Sequence, residues 1–289
     1  MKQLAVVSGK GGTGKTMVTG ALASILPGRK AFADCDVDAS NLELLLSPRV
    51  INARPYRGMQ VASIDPDTCT LCGVCEENCR FDAISLVGEQ EVVDPVKCEG
   101  CAVCTLVCPI AAVQMQDRIS GEIFYSETAY GPLSHARLSP GSGTSGLLVT
   151  QVKQQVVERA HGCDLLLIDG PPGIGCPLIA TVTGVNAVLV VTEPGVSGLH
   201  DLRRVVNVCR DFEPEILVAI NKYTLSEDHC REIEEYCESE GLPVVGRIPF
   251  GETVIRAVRE GRPVTDFPCP ASDALREMVA AIRRHLSWP

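Results

Sequence analysis

Eight cysteines in two matching runs interrupt an otherwise regular alternation of apolar strands and amphipathic helices. Cys69, Cys72, Cys75 and Cys79 are spaced C-x2-C-x2-C-x3-C. Cys98, Cys101, Cys104 and Cys108 repeat that spacing 29 residues further on, and Pro109 follows the last of them. The repeat reaches into the flanks, where Asp65-Pro66 corresponds to Asp94-Pro95 and Ala83-Ile84 to Ala112-Val113. Each half reads as a short strand, a cysteine loop, a short helix and another strand. A module this small buries little apolar surface, so metal held by its cysteines is expected to staple it. The segment spans about residues 58–117. Both its ends rejoin the α/β pattern, which makes it an insertion between a first part, 1–57, and a second part, 118–289.

Outside the insertion, short apolar runs predict buried strands at Gln3–Val7, Lys30–Asp34, Leu165–Asp169, Ala187–Thr192, Ile216–Asn221 and Val244–Ile248. Helix-period stretches lie between them, as at Leu147–Ala160, Gly198–Phe212 and Glu227–Glu240. Strands of this kind separated by helices predict a doubly wound, mostly parallel sheet covered on both faces. Ser134–Gly146, rich in Ser and Gly, reads as an exposed loop. The net charge of −10 argues against a general nucleic-acid binder, which needs clustered Lys and Arg, and is compatible with a basic redox partner. Seven further cysteines are scattered, which fits reduced cytosolic thiols rather than a disulfide scaffold. Leu4-Ala5-Val6-Val7 leads straight into a glycine-rich loop, so a cytoplasmic location without a secretory leader is expected. No apolar run approaches the ~20 residues that cross a bilayer.

That loop, Gly9-Lys10-Gly11-Gly12-Thr13-Gly14-Lys15-Thr16, satisfies G-x-x-x-x-G-K-[ST] between a predicted strand and a predicted helix. Glycines let successive N–H groups turn toward phosphate oxygens, and the helix N-terminus adds partial positive charge. Lys15 is expected to reach the β- and γ-phosphates of ATP, and Thr16 to ligate Mg²⁺. The competing reading is a glycine-rich turn that matches by chance.

Lys10 makes the loop resemble the deviant Walker A motif of the MinD/Mrp/nitrogenase-iron-protein ATPases. The resemblance continues through Asp34-Cys35-Asp36-Val37-Asp38, Asn41-Leu42, Asp169-Gly170-Pro171-Pro172-Gly173, Asn221-Lys222, Ile248-Pro249-Phe250 and Ala257–Pro263. It implies an ATP-dependent homodimer in which Lys10 reaches the partner's phosphates, with Lys10, Lys15 and Asp36 as the catalytic residues. Asp36 would orient the attacking water and Asp34 would act through Mg²⁺-bound water. Asp169 would face Mg²⁺, the Gly173 N–H would face the γ-phosphate, and Asn221 and Pro249 would flank adenine. Ordinary helix caps and turn residues are the competing reading for Asp34, Asp38 and Asn41.

The cysteine runs are similar to those of bacterial two-cluster ferredoxins, in which the fourth cysteine of each run serves the other cluster. That pattern implies one [4Fe–4S] cluster on Cys69, Cys72, Cys75 and Cys108, and a second on Cys98, Cys101, Cys104 and Cys79. Structural zinc is the alternative. Arg80 stands where the pattern has proline and puts a charge near the second ligand set. Cys176 follows Asp169 at the spacing of a cluster-ligand cysteine in the nitrogenase iron protein. A second such cysteine is missing from Pro140–Leu147, where Thr144 and Ser145 stand, and the competing reading of Cys176 is a small buried residue near a helix start. Cys230 and Cys237 lie seven apart and do not form the C-x-x-C of Mrp-type carriers. Leu275, Met278, Val279, Ile282 and Leu286 form a helical stripe that suits core packing better than a membrane surface. Together these features predict an α/β P-loop ATPase with an inserted α+β ferredoxin-like domain. Eight dedicated cluster ligands favour ATP-gated electron transfer to a redox partner; the alternatives are cluster assembly and a MinD-like spatial or regulatory ATPase with redox-sensing clusters.

Overall fold

The computed structural model describes residues 1–139, 142–143 and 145–288. In chain order its elements are β1 (Lys2–Ser8), α1 (Lys15–Ile25), β2 (Lys30–Asp34), α2 (Leu42–Leu46), β3 (Arg49–Arg57), β4 (Val61–Ile64), α3 (Val74–Glu77), β5 (Ile84–Val87), β6 (Gln90–Val93), α4 (Val103–Val107) and β7 (Val113–Gln116). There follow β8 (Ile119–Thr128), β9 (Gly131–Leu138), α5 (Ser145–Arg159), β10 (Leu165–Pro172), α6 (Cys176–Val182), β11 (Ala187–Thr192), α7 (Val196–Arg210), β12 (Glu215–Asn221), α8 (Glu227–Ser239), β13 (Val244–Ile248), α9 (Glu252–Arg259) and α10 (Pro270–Leu286). The six predicted strands fall within β1, β2 and β10 to β13.

The chain divides into two compact units. The first comprises Met1–Ala53, Ile123–Ala136 and Ser145–Pro289; the second comprises Arg54–Glu122 and Arg137–Thr144. The large sheet runs β13-β12-β11-β1-β10-β2-β9-β8-β3. From β13 to β9 every pairing is parallel, with Leu4 opposite both Leu167 and Ala187. Strands this apolar suit a parallel sheet because helices cover both faces. Side chains alternate across the sheet, so Leu4 and Val6 pack with α1 and α10 while Ala5 and Val7 face the other way. All five residues of the C-terminal helical stripe are buried in that first cluster, so α10 is a core helix. No described helix is long and apolar enough to cross a membrane.

The strand order turns back at β1, with β2 reached on one side and β11 on the other. In such sheets the crevice beyond the strands' carboxyl ends is where ligands bind. The loop expected over 134–146 is corrected in part. Residues 134–138 belong to β9, whose Leu133, Ser134, His135 and Ala136 are buried. Polar Ser134 and His135 hide the strand signal because their side chains are paired inside: the Gln155 amide donates to Ser134 Oγ at 3.1 Å, and His135 Nε2 lies 3.1 Å from Ser126 Oγ. Only Ala129 and Tyr130 separate β8 from β9, a connection that an antiparallel pair permits.

The second unit is built on two antiparallel ribbons, β4 with β7 and β5 with β6. Its apolar centre is small: Ala62, Cys75, Ile84, Cys104 and Val113. The sequence repeat is structural. Asp65 and Asp94 accept matching backbone hydrogen bonds from Cys69 and Cys98, each at 3.0 Å. The range 58–117 lies inside this unit, which extends a few residues beyond it at both ends and takes in 137–144.

Candidate functional site

The glycine-rich loop leaves β1 at Ser8 and enters α1 at Lys15. Gly14 has φ 94°, and a Cβ there would come 2.3 Å from Asn221 Nδ2, so glycine is required twice over. Loop, helix start and the segment after β2 enclose a cavity of about 630 Å³ lined by Gly12, Gly14, Lys15, Thr16, Asp36 and Asp38. Apolar Met17, Leu44, Leu45 and Val258 line it as well. Backbone donors, one lysine and carboxylates around such a space suit a polyphosphate with a divalent cation.

Asp169, within β10, is fully buried and accepts hydrogen bonds from Thr16 Oγ1 at 2.6 Å and Thr19 Oγ1 at 2.8 Å. Burial raises its pKa against the opposing pull of Lys15. Lys15 Nζ stands 3.7 Å from Asp36 Oδ2, and both groups are buried. Burial also raises the Asp36 carboxyl. Asp34, expected to act through Mg²⁺-bound water, is engaged by the protein on both oxygens. Its Oδ1 accepts from the Asp36 N–H at 3.1 Å, and its Oδ2 accepts from Ser40 Oγ at 2.7 Å and the Leu42 N–H at 3.0 Å. Here Asp34 shapes the loop that carries Asp36 and Asp38 into the cavity. Burial, then the charge of Asp169, raises its pKa.

Lys10 folds onto its own chain, with Nζ 2.9 Å from Glu193 Oε1 and 2.9 Å from Ser197 Oγ. Lys222 takes the other carboxylate oxygen at 2.7 Å and donates to the Gly12 carbonyl at 2.8 Å. Burial pushes the Glu193 carboxyl up, but the two lysines outweigh it and hold the group below the usual range. Sequence reading missed Glu193 and Ser197. Their signal was position: β11 neighbours β1, so its carboxyl end faces the phosphate loop.

Two other expected nucleotide contacts are engaged within the protein. Asn221 Nδ2 donates to the Thr13 carbonyl at 2.7 Å and braces the loop; neither Asn221 nor Pro249 lines the cavity. The Gly173 N–H donates to the Ser8 carbonyl at 3.0 Å, so it reaches a γ-phosphate only after that bond breaks. Cys176 is exposed at the first residue of α6, which corrects the buried reading. Pro140, Gly141 and Thr144, in the segment that lacks a second such cysteine, lie outside the described residues. Cys230 and Cys237 are buried along α8 with Ile233.

In the second unit all eight cysteines of the two runs line two cavities. One is lined by Cys69, Cys72, Cys75 and Cys108, the other by Cys98, Cys101, Cys104 and Cys79. Each therefore takes three sulfurs from one run and the last from the other. The fourth cysteines are matched in environment, with the Ala83 N–H 3.4 Å from Cys79 Sγ and the Ala112 N–H 3.3 Å from Cys108 Sγ. N–H groups, first that of Ile110, hold the Cys108 thiol below its usual pKa, while burial pushes Cys75 and Cys104 up. Among the described residues no three or more Cys, His, Asp or Glu side chains converge as ligands of a single ion do.

Comparison with known proteins agrees with the first unit's geometry. The chain is 35% identical to uncharacterized protein MJ0578 of Methanocaldococcus jannaschii, over 76% of this chain and 78% of that one. It is 30% identical to the cytosolic Fe-S cluster assembly factor NUBP2 of Bos taurus, over 45% of this chain and 55% of that one. Among solved structures it resembles the septum site-determining protein MinD of Pyrococcus horikoshii, complexed with Mg-ADP. The TM-score there is 0.60 at 19% identity, over 98% of this chain and 96% of that one. Residues 4–264 match the CobQ/CobB/MinD/ParA nucleotide binding domain, and the chain belongs to that family.

Proposed function

We propose that this ATP-binding protein hydrolyses Mg-ATP and couples its nucleotide state to electron transfer through two [4Fe–4S] clusters. The observation that carries the reading is the crossed sharing of cysteines. Each cavity has three thiols from one run and the fourth from the other, the ligand logic of a two-cluster ferredoxin. A cubane spreads its four ligand sulfurs around a volume, whereas zinc draws them onto one point about 2.3 Å away. Cys69, Cys72, Cys75 and Cys108 would hold one cluster, and Cys98, Cys101, Cys104 and Cys79 the other. Bound clusters supply one-electron chemistry; the chain's part is to fix their ligands and donate N–H groups to sulfur.

In the first unit Lys15 would bind phosphate, Thr16 and Asp169 would hold Mg²⁺, and Asp36 would orient water. Catalysis of phosphoryl transfer rests on such positioning and charge neutralisation. Lys10 leaves Glu193 and Ser197 to reach a second subunit's phosphate. Protein purified anaerobically is expected to carry about eight iron and eight labile sulfide per chain, the content of two cubanes. Zinc without labile sulfide would overturn the reading.

Cluster assembly is the second reading, favoured by the similarity to NUBP2, a protein named for that role. Transfer of iron and sulfide to an apo-ferredoxin on ATP addition would select it. Clusters retained through repeated ATP turnover select electron transfer.

A further inference from the structure

The internal repeat offers a built-in comparison between the two cysteine cavities. Their linings match position by position across the 29-residue offset: Cys69 with Cys98, Val74 with Val103, and Ala83 with Ala112. One matched pair differs sharply. Ala62 on β4 lines the second cavity, and Glu91, its repeat mate on β6, lines the first. Glu91 is only 7% exposed, and its Oε2 has no hydrogen-bond partner. An unpartnered buried carboxylate oxygen costs free energy, and the other half of the repeat does without one. Other charges also differ between the halves, among them Glu76, Glu77, Arg80, Asp82 and Glu99, none of which has a charged mate across the offset. These five are exposed, so water and salt screen them, whereas the field of Glu91 acts through low-dielectric protein.

We propose that Glu91 makes the two sites inequivalent and holds a cluster in the first cavity at the lower reduction potential. This rests on the cluster reading above. Cluster potentials follow net charge, hydrogen bonding to sulfur and solvent exposure. Reduction adds negative charge, and a fixed carboxylate lining the cavity opposes it. The electron path inside the unit then has a direction, from the first cavity's cluster to the second's.

Redox titration monitored by electron paramagnetic resonance tests this on the full chain purified anaerobically, with iron and labile sulfide assayed first. The wild-type protein should show two separate midpoints. Glu91→Gln keeps the shape and removes the charge; it should raise the lower midpoint and leave the higher one unmoved. Ala62→Glu, the reciprocal change, should lower the higher midpoint, and it decides the matter should Glu91→Gln assemble poorly. A single wild-type midpoint overturns the proposal. So does iron-replete Glu91→Gln with both midpoints unchanged, or Ala62→Glu that leaves the higher one in place. Wild-type protein lacking iron and labile sulfide removes the cluster reading itself, a failure the preliminary assay separates from the others.

Discussion

Lys15 and Asp36 lie 3.7 Å apart, and the proposed function gives them separable roles, binding phosphate and orienting water. Lys15→Ala removes a buried cation from the phosphate site, so ATP should bind at least ~30-fold more weakly, about 2 kcal/mol or more. Asp36→Ala should keep binding and lose turnover; equilibrium dialysis and phosphate release separate the two. Glu193 holds Lys10 on its own chain, so Glu193→Gln should free the lysine and let ATP dimerise the protein at lower protein concentration, read by sedimentation. Dimerisation unchanged in that variant would remove Glu193 as a restraint. Asp34 carries a pH signature. Its folded pKa stands above its unfolded value, so the folded state binds the extra proton, and stability is lost as pH rises between them. Nucleotide-free wild type should therefore lose thermal stability relative to Asp34→Asn between about pH 4, the ordinary carboxylate value, and about 7.

Among the elements, the parallel strands were legible because each is an unbroken apolar run, and β2, β11 and β13 begin and end where the runs do. The cysteine repeat was legible for a similar reason: spacing fixes which thiols share a loop. β9 was not, because its buried Ser134 and His135 are satisfied by Gln155 and Ser126, partners distant or unremarkable in sequence. The Lys10–Glu193–Lys222 arrangement was equally hidden, since it depends on β11 lying beside β1 rather than on any local pattern. Another long-range element contact makes a stability prediction. Lys153 on α5 is buried, and its Nζ donates to the carbonyls of Ala180, Thr181 and Thr183 at 3.0, 2.7 and 2.8 Å, closing the C-terminal end of α6. Lys153→Met fills the space but leaves those carbonyls unpaired, at a cost of about 1–3 kcal/mol. Urea unfolding should show a lower midpoint; an unchanged midpoint would mean that water satisfies them.

At the scale of the molecule, the chain passes between its two units four times. Three of those passages fall inside the strands β3, β8 and β9 rather than in loops. A nucleotide shifts a conformational equilibrium only through its different affinity for the two states, and that linkage is reciprocal. If ATP and ADP select conformations that differ around the proposed clusters, the cluster potentials differ between the two nucleotide states. Coupling between nucleotide and clusters is tested by potentiometric titration of the iron-replete Asp36→Ala variant, expected to bind ATP without hydrolysing it, saturated with ATP and then with ADP. At least one midpoint potential should differ between the two nucleotide states. Identical potentials, with both nucleotides shown to be bound, would contradict it.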